Sequence, residues 1–405
     1  SVLKLLESAN GLDAGTLNGL YVRISGEIAA GKARGDHDLE DRARAWFKRL
    51  EEGDPPARRL WKRFVEISER EFEAVYDVLG VTFDHVWGES HYAERMPAVI
   101  EDLEKKGLLE ESEGAHVVKL DAEGMPPCLI RKGDGATLYA TRDLAAAIVR
   151  HEAFGFDRAL YVTDRGQALH FAQFRRVLEM AGYAWARGIR HVPFGVIRMG
   201  GKRTRTREGS VVLLADVLHA AVEKVKGLIQ KKNPDLEDAE RVAEAVGVGA
   251  VVFNDLKNRR ETDIDFDLDA IVSFEGKTGP YVMYSHARAC SILRRADEAL
   301  RPLAEIDVGL LADETEHRLL RLVALFPDRV EVARERDEPS EVAKYLLDLC
   351  AAFHAYHTRG GRDRSLRVLA EETDVRAARL CLTDAVRRTM AAALHLLGMQ
   401  APEAM

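Results

Sequence analysis

Between residues 116 and 210 the hydrophobic pattern leaves helical spacing and alternates short apolar runs with helices. This alternation restricts the fold more than any other stretch. Residues 116–120 and 128–131 are strand-like, 144–151 is helical, and Ala159-Leu160-Tyr161-Val162-Thr163 reads as a buried strand. A helix over 169–180, ending near Gly182, and a strand over 192–199 follow. Strands alternating with helices of this length imply crossover connections and a parallel sheet. Ligands of such sheets bind beyond the carboxyl ends of the strands. That places Gln167 and the loop after Met199 at the expected site.

The flanks are helical. Residues 39–50 and 58–79 carry apolar side chains at three- and four-residue steps, with Asp54-Pro55-Pro56 as the break between them. Leu60, Trp61, Phe64, Ile67, Phe72, Val75 and Tyr76 are expected to form core packing. Residues 97–107 form a shorter amphipathic helix, and Gly107 suits its end. Beyond 211 the pattern predicts helices over 214–231, 236–251, 281–300, 314–335, 341–357 and 375–397, a helical bundle. The alternating aspartates of 263–269 suggest a calcium loop, but the glycine and terminal glutamate of an EF-hand are missing.

A chain of 405 residues can hold two or three domains, and 46% hydrophobic with 31% charged residues suits a globular protein. No apolar run approaches the roughly 20 residues of a membrane helix, and no secretory leader is expected. Cys128, Cys290, Cys350 and Cys381 lie far apart without a CxxC pair. They read as buried thiols of a reducing cytoplasm, not as a zinc site. A net charge of −8 argues against a coat of nucleic acid while leaving room for a local basic surface.

Chemistry concentrates in two stretches. In CLIRKGDGATLYATRDLAAAI (128–148), two short strands are expected around Gly133-Asp134-Gly135, then a helix opening near Thr141. Tyr139 and Asp143 are one helical turn apart. A carboxylate beside a phenol could hold a planar cation through paired hydrogen bonds. Alternatively, Asp143 complements its own helix dipole and Tyr139 is ordinary core. The second stretch, 198–209, carries Arg198, Lys202, Arg203, Arg205 and Arg207 against one acid, Glu208, between glycines. Such a loop can close over a polyphosphate, or it can be a solvated basic loop or a passive nucleic-acid contact. His170 follows Gln167 within one turn and reads either as a catalyst or as a satisfied capping or core group. No GxxxxGK[ST], GxGxxG or HExxH motif occurs.

Taken together, LYATRDLAAAI, YVTDRGQALHFAQF and a basic loop after a strand strongly resemble arginyl-tRNA synthetases, class I synthetases with a Rossmann-type catalytic domain. The resemblance extends through LWKRFVEISEREFEAVYDVLGVTFDHVWGES, IDFDLDAIVSFEGKTGPYVMYSHARACSILR and AARLCLTDAVRRTMAAALHLLGMQAPEAM, nearly the whole chain. It implies an α/β plus all-α fold: a partial class I Rossmann-type catalytic domain with a helical insertion, followed by an α-helical anticodon-binding bundle. The implied division is a connective insertion over 1–115 and the second Rossmann half with its signature loop over 116–210. A helical stem over 211–275 and the anticodon-binding domain over 276–405 complete it.

The resemblance also implies roles. Tyr139, Asp143 and Gln167 would bind the guanidinium of arginine, with His170 facing the same pocket and ATP. Lys202, Arg203, Arg205 and Arg207 would be the catalytic cations on the ATP phosphates. The family's lysine-methionine-serine-threonine-arginine run reads Arg203-Thr204-Arg205-Thr206-Arg207 here, which alters the point-charge geometry. Tyr284, Tyr356 and Met405 would touch anticodon-loop bases, as stacked tyrosines do on single-stranded RNA. The implied substrates are ATP as its magnesium complex, arginine and tRNA(Arg), with no tightly bound cofactor, no resident metal, no membrane, and a monomer in the cytoplasm. No HxGH occurs. The expectation is therefore a chain lacking the first Rossmann strand and the N-terminal domain, either a piece of a longer enzyme or a truncated relative. The alternative is a non-catalytic paralogue or tRNA-binding module.

Overall fold

Aspartates set where the first helices begin. In the computed structural model, which describes residues 13–132, 139–199, 202–203 and 212–405, Asp13 accepts from Thr16 N at 2.7 Å and opens α1 (Ala14–Ala33). After α2 (Asp38–Glu51), Asp54 caps α3 (Pro55–Leu79), and Gly80 ends it in the left-handed region at φ 66°. The expected break at Asp54-Pro55-Pro56 is thus a cap with prolines in the first turn, where no backbone N–H is needed. The aromatic face of α3 is not the core it was expected to be. Only Ile67 of that set is buried, and Phe72 is exposed. Its apolar stripe is broader than the surface packed against it.

The chain divides into two compact units. One takes in the chain up to Thr82 with 197–258 and 265–405, and the other is 83–196 with 259–264.

In the second unit a 3-10 turn, Glu89–Arg95, leads into α4 (Met96–Lys105), followed by β1 (Glu110–Ser112), β2 (Ala115–Val118) and β3 (Cys128–Arg131). These three strands form an antiparallel sheet rather than part of a parallel one. The reason is local. Glu113 and Gly114 both have positive φ, 49° and 74°, the geometry of a two-residue hairpin turn, and a parallel pair needs a crossover of a dozen or more residues. α5 (Tyr139–Phe154) follows, opening two residues before the expected Thr141. The second strand expected around Gly133-Asp134-Gly135 lies outside the described residues.

β4 (Ala159–Asp164), α6 (Ala168–Met180) and β5 (Ile189–Phe194) make the expected crossover, with β4 and β5 parallel from Ala159↔Ile189 to Asp164↔Phe194. β4 is not buried on both faces. Ala159 and Tyr161 pack toward the core, while Leu160 and Val162 are exposed. The core joins Val99, Ile100 and Leu103 of α4 to Ile130, Leu144, Phe174 and Ile189. Each such side chain contributes about 1.5–3 kcal/mol by leaving water. This burial ties α4, and the pairing with β2 ties β1, to the sheet unit, so the compact boundary falls at 82/83 where the sequence pattern changes near 116.

The strand expected over 192–199 is two strands, β5 and β6 (Ile197–Met199). They part at Gly195, whose N–H donates to Arg260 O at 2.7 Å. A Cβ at Gly195 would lie 2.5 Å from Thr262 O, so only glycine admits the 259–264 segment there. Asp263 secures that segment, accepting from Val196 N at 3.0 Å and pairing with Arg165 at 3.0 Å.

In the first unit β7 (Lys202–Arg203) pairs antiparallel with β6, Arg198↔Arg203 and Met199↔Lys202. α7 (Leu214–Lys232) and α8 (Ala239–Leu256) pack so closely that a Cβ at Gly247 would stand 2.7 Å from Val222 Cα. β8 (Ile264–Phe266) and the short α9 (Leu268–Ile271) replace the acidic loop, with Asp267 capping α9. The bundle continues through α10 (Gly279–Ala296), α11 (Glu314–Ala324), α12 (Phe326–Arg336), α13 (Ser340–Arg362) and α14 (Thr373–Leu396). The helix expected over 314–335 is two, broken at Leu325 ahead of Pro327. Phe253, Met283, Leu319, Leu346, Phe353 and Met390 lie in its core. Across that core Arg379 pairs with Glu316 at 2.7 Å, the two side chains 5% and 0% exposed.

Candidate active site

The first turn of α5 is anchored from below. The buried Thr141 hydroxyl donates to the carbonyl of Ile130 in β3, and Arg142 pairs with Glu89. With Thr141 fixed inward, Tyr139 and Asp143 stand on the outer side of the same turn. Tyr139 is 71% exposed, which removes the reading of it as ordinary core. The guanidinium of Arg142 lies 5.7 Å from its ring centroid.

The end of β4 supplies the opposing element. Asp164 accepts from Gly166 N at 2.7 Å and turns the chain into α6. Gln167 occupies the N-cap position without a side-chain capping bond, and its side chain is exposed. One turn on, His170 Nε2 lies 2.6 Å from Asp143 Oδ2, the side chains 26% and 35% exposed. His170 is therefore neither a helix cap nor a core residue satisfied by backbone. Asp143 has no other hydrogen-bond partner among the described residues, so its second oxygen can accept from a ligand.

Behind this pair lies an aromatic wall. The His170 ring meets Phe171 at 5.4 Å and Phe174 at 5.7 Å, and Tyr161 packs on the same two rings at 5.2 and 5.5 Å. The Arg150 guanidinium lies over the rings of Tyr92 and Tyr161 and donates to Tyr92 Oη at 3.0 Å. Burial pushes the Tyr161 phenol above its usual range, against the pull of the Arg150 charge, and Asp143 pushes it further. Sequence reasoning missed Tyr92, Arg150 and Tyr161. Their only signal was a tyrosine and an arginine at apolar-face positions of otherwise ordinary elements.

A carboxylate held at one oxygen, with an exposed phenol and an exposed carboxamide at the starts of the two helices, has the acceptor chemistry that a planar cation can meet. The cationic loop is only partly visible. Lys202 and Arg203 form β7, and Arg205 and Arg207 lie outside the described residues.

The residues expected to meet RNA differ from one another. Tyr284 is half-buried, with its hydroxyl accepting from Arg288 Nη2 at 2.9 Å and that guanidinium 4.7 Å from its ring centroid. Met405 is half-buried against the bundle core. Tyr356 is 1% exposed, so the expectation that its ring stacks on a base is corrected here: the ring fills the core between helices. Nearby, His354 bonds Arg288 Nη1 at 2.9 Å and Ser285 Oγ at 3.0 Å, and its ring stacks on Tyr281 at 5.2 Å. Burial, then the charges of Arg288 and His357, push its pKa down to about 4. His354 lines an open cleft of about 590 Å³ with Thr315, Thr358, Arg359 and Arg362. The helical spacing of His354, Thr358 and Arg362 was its legible sign.

Among the described residues no group of three or more His, Cys, Asp or Glu side chains could hold a metal ion, and no helix is long and apolar enough to cross a membrane. Cys128 is buried, and burial pushes its thiol up to about 12.

Comparison with known proteins bears on both units. Residues 7–268 match the family model described as tRNA synthetases class I (R), catalytic domain, and residues 282–405 match the DALR anticodon binding domain. The chain is 44% identical over 390 residues to an arginine–tRNA ligase of Alkaliphilus metalliredigens, covering 96% of this chain and 67% of that protein. It is 47% identical over 386 residues to arginine–tRNA ligase 2 of Bacillus anthracis, covering 95% and 66%. The chain thus spans about two thirds of the length of these curated relatives. Among solved structures, the arginyl-tRNA synthetase of Thermus thermophilus superposes with a TM-score of 0.75 at 26% identity, over 95% of this chain and 73% of that one.

Proposed function

This chain belongs to the arginyl-tRNA synthetase family, and from that premise we propose that it takes part in the ATP-dependent attachment of arginine to tRNA(Arg). The observation that carries the reading is the Asp143–His170 pair joining α5 to the start of α6, with Tyr139 and Gln167 exposed at the starts of the same two helices. The second oxygen of Asp143 would accept from the guanidinium of arginine. Gln167 would supply a further polar contact, and Tyr139 a π-face over the planar cation.

In the proposed reaction a carboxylate oxygen of arginine attacks the α-phosphorus of ATP. The bond to the bridging oxygen breaks and pyrophosphate leaves. The terminal adenosine hydroxyl of tRNA(Arg) then attacks the arginyl carbonyl and releases AMP. ATP enters as its magnesium complex, the ion being part of the substrate. Lys202, Arg203, Arg205 and Arg207 are the proposed phosphate contacts, and Tyr284 and Met405 the proposed anticodon-loop contacts. The proposed setting is the cytoplasm and the proposed working form a monomer.

Asp143→Asn tests the reading. The amide keeps the shape of the carboxylate and removes its charge. A charge-assisted hydrogen bond contributes about 1.5–3 kcal/mol, so arginine affinity should fall at least about ten-fold while ATP affinity stays within about two-fold. Calorimetric titration of the chain and the variant with each ligand measures both. Unchanged arginine affinity in the variant would remove Asp143 from the pocket and the reading with it.

A further inference from the structure

We propose that His170 is a positioning residue of the arginine pocket: by donating to one oxygen of Asp143, it fixes the direction in which the other oxygen meets the guanidinium. The inference rests on the arginine reading above and concerns how that recognition is made directional.

A carboxylate on a half-exposed helix turn has no reason to hold one orientation. Its terminal torsion is broad and roughly two-fold, and water satisfies it in any direction. Here Oδ2 lies 2.6 Å from His170 Nε2, a short contact of the charge-assisted kind. Nε2 is a donor in the imidazolium and in one neutral tautomer, so the same contact serves either state.

The imidazole is held in turn. Phe171 and Phe174 meet it edge-on and tilted, and both phenylalanines are buried in the core of the unit. Tyr161 braces the same two rings, and Arg150 lies over Tyr161. Below Asp143, the Thr141 hydroxyl fixes the helix turn to β3. The carboxylate is therefore clamped between a helix start anchored on one strand and an imidazole anchored on the core behind another. A fork of two parallel N–H groups demands such a fixed acceptor, because misplacing a contact atom by about 1 Å can cost about a hundred-fold.

His170 also has no free role as a direct ligand group on that nitrogen. Nε2 is occupied by Asp143. This separates it from Gln167, whose side chain is exposed and makes no capping bond.

The test uses residues 1–405 with L-arginine and L-citrulline as probes, citrulline having the same shape without the charge. Two substitutions divide the possibilities. His170→Gln places an amide N–H at a similar reach, and His170→Leu keeps bulk without a donor. Gln is expected to stay within about three-fold of the parent in arginine affinity, and Leu to lose about ten-fold or more. Both should melt close to the parent, because neither change opens a cavity in the core. In the Asp143→Asn background, His170→Leu should add nothing, since the residues act as one unit.

Equal arginine affinity in the parent and His170→Leu overturns the inference, and so do equal losses in Leu and Gln or additive losses in the double variant. Should His170→Leu unfold, a ten-fold loss in His170→Gln overturns it equally well. Long-range nitrogen NMR adds a readout that packing alone would not move. The imidazole should carry its proton on Nε2, and a neutral ring protonated only on Nδ1 contradicts the inference. Failure of the arginine reading itself looks different: the parent would then bind arginine and citrulline alike, or Asp143→Asn would bind as the parent does.

Discussion

Thr141 shows how a single hydroxyl sets the site. Its Oγ1 donates to Ile130 O between two fully buried residues, so Thr141→Val leaves a buried carbonyl unsatisfied. The expected cost is about 1–3 kcal/mol of stability, read as a lower midpoint in urea, together with weaker arginine binding as the turn carrying Asp143 loosens. A variant as stable as the parent would show that the bond does not anchor the helix. At this scale the sequence was partly legible. The four-residue step from Tyr139 to Asp143 was visible because it lies within one helix. The bond from Asp143 to His170 was not, because it joins two elements 27 positions apart and depends on how α5 and α6 pack. The exposure of Tyr139 and the burial of Tyr356 were equally hidden, since a tyrosine at an apolar spacing looks the same from either side.

Elements were legible where local chemistry decides them. The Asp54-Pro55-Pro56 break, the Gly107 stop and the crossover from β4 to β5 all follow from residues within a few positions. The antiparallel β1–β3 sheet was misread because the deciding feature is a two-residue turn, Glu113-Gly114, inside a run that otherwise only looks strand-like. The split between α11 and α12 turns on Pro327 in the first turn of the second helix. Buried charge is a further feature that no periodicity reveals. Glu316 closes a capping box with Asp313 and also holds Arg379, whose Nη1 donates to the carbonyls of Ser365 and Arg367. Arg379→Met would strand the Glu316 carboxylate in the core at a cost of about 3–5 kcal/mol. The double variant Arg379→Met with Glu316→Leu should regain much of that loss, because it removes the buried charge altogether. Urea unfolding of the single and double variants checks this. A double variant less stable than Arg379→Met alone would contradict it.

At the scale of the molecule, each compact unit has its own core, and the first unit carries a built-in response to acid. His354 binds a proton at about 4 in the folded chain against an ordinary value of about 6.5, with burial as the main cause and Arg288 and His357 next. Burial moves His286 and His357 in the same direction. The unfolded chain therefore binds more protons through this range. The contribution to stability is complete above about 6.5 and is lost as the pH falls toward 4. His354→Gln should flatten the dependence of the melting temperature on pH between 7 and 4, and an unchanged profile would place the acid response elsewhere. The compact boundary at 82/83 was not legible in the change of texture near 116. It follows from where Val99, Ile100 and Leu103 find partners, a question of packing rather than pattern.

The proposed role of Asp143 is to make the arginine pocket selective for a guanidinium. Competition between L-arginine and L-citrulline for residues 1–405, read by titration calorimetry, addresses it most directly. A neutral ligand forgoes the charge-assisted bonds of the fork to this part-buried carboxylate, so arginine should bind at least about ten-fold more tightly than citrulline. Equal affinities for the two would contradict the account.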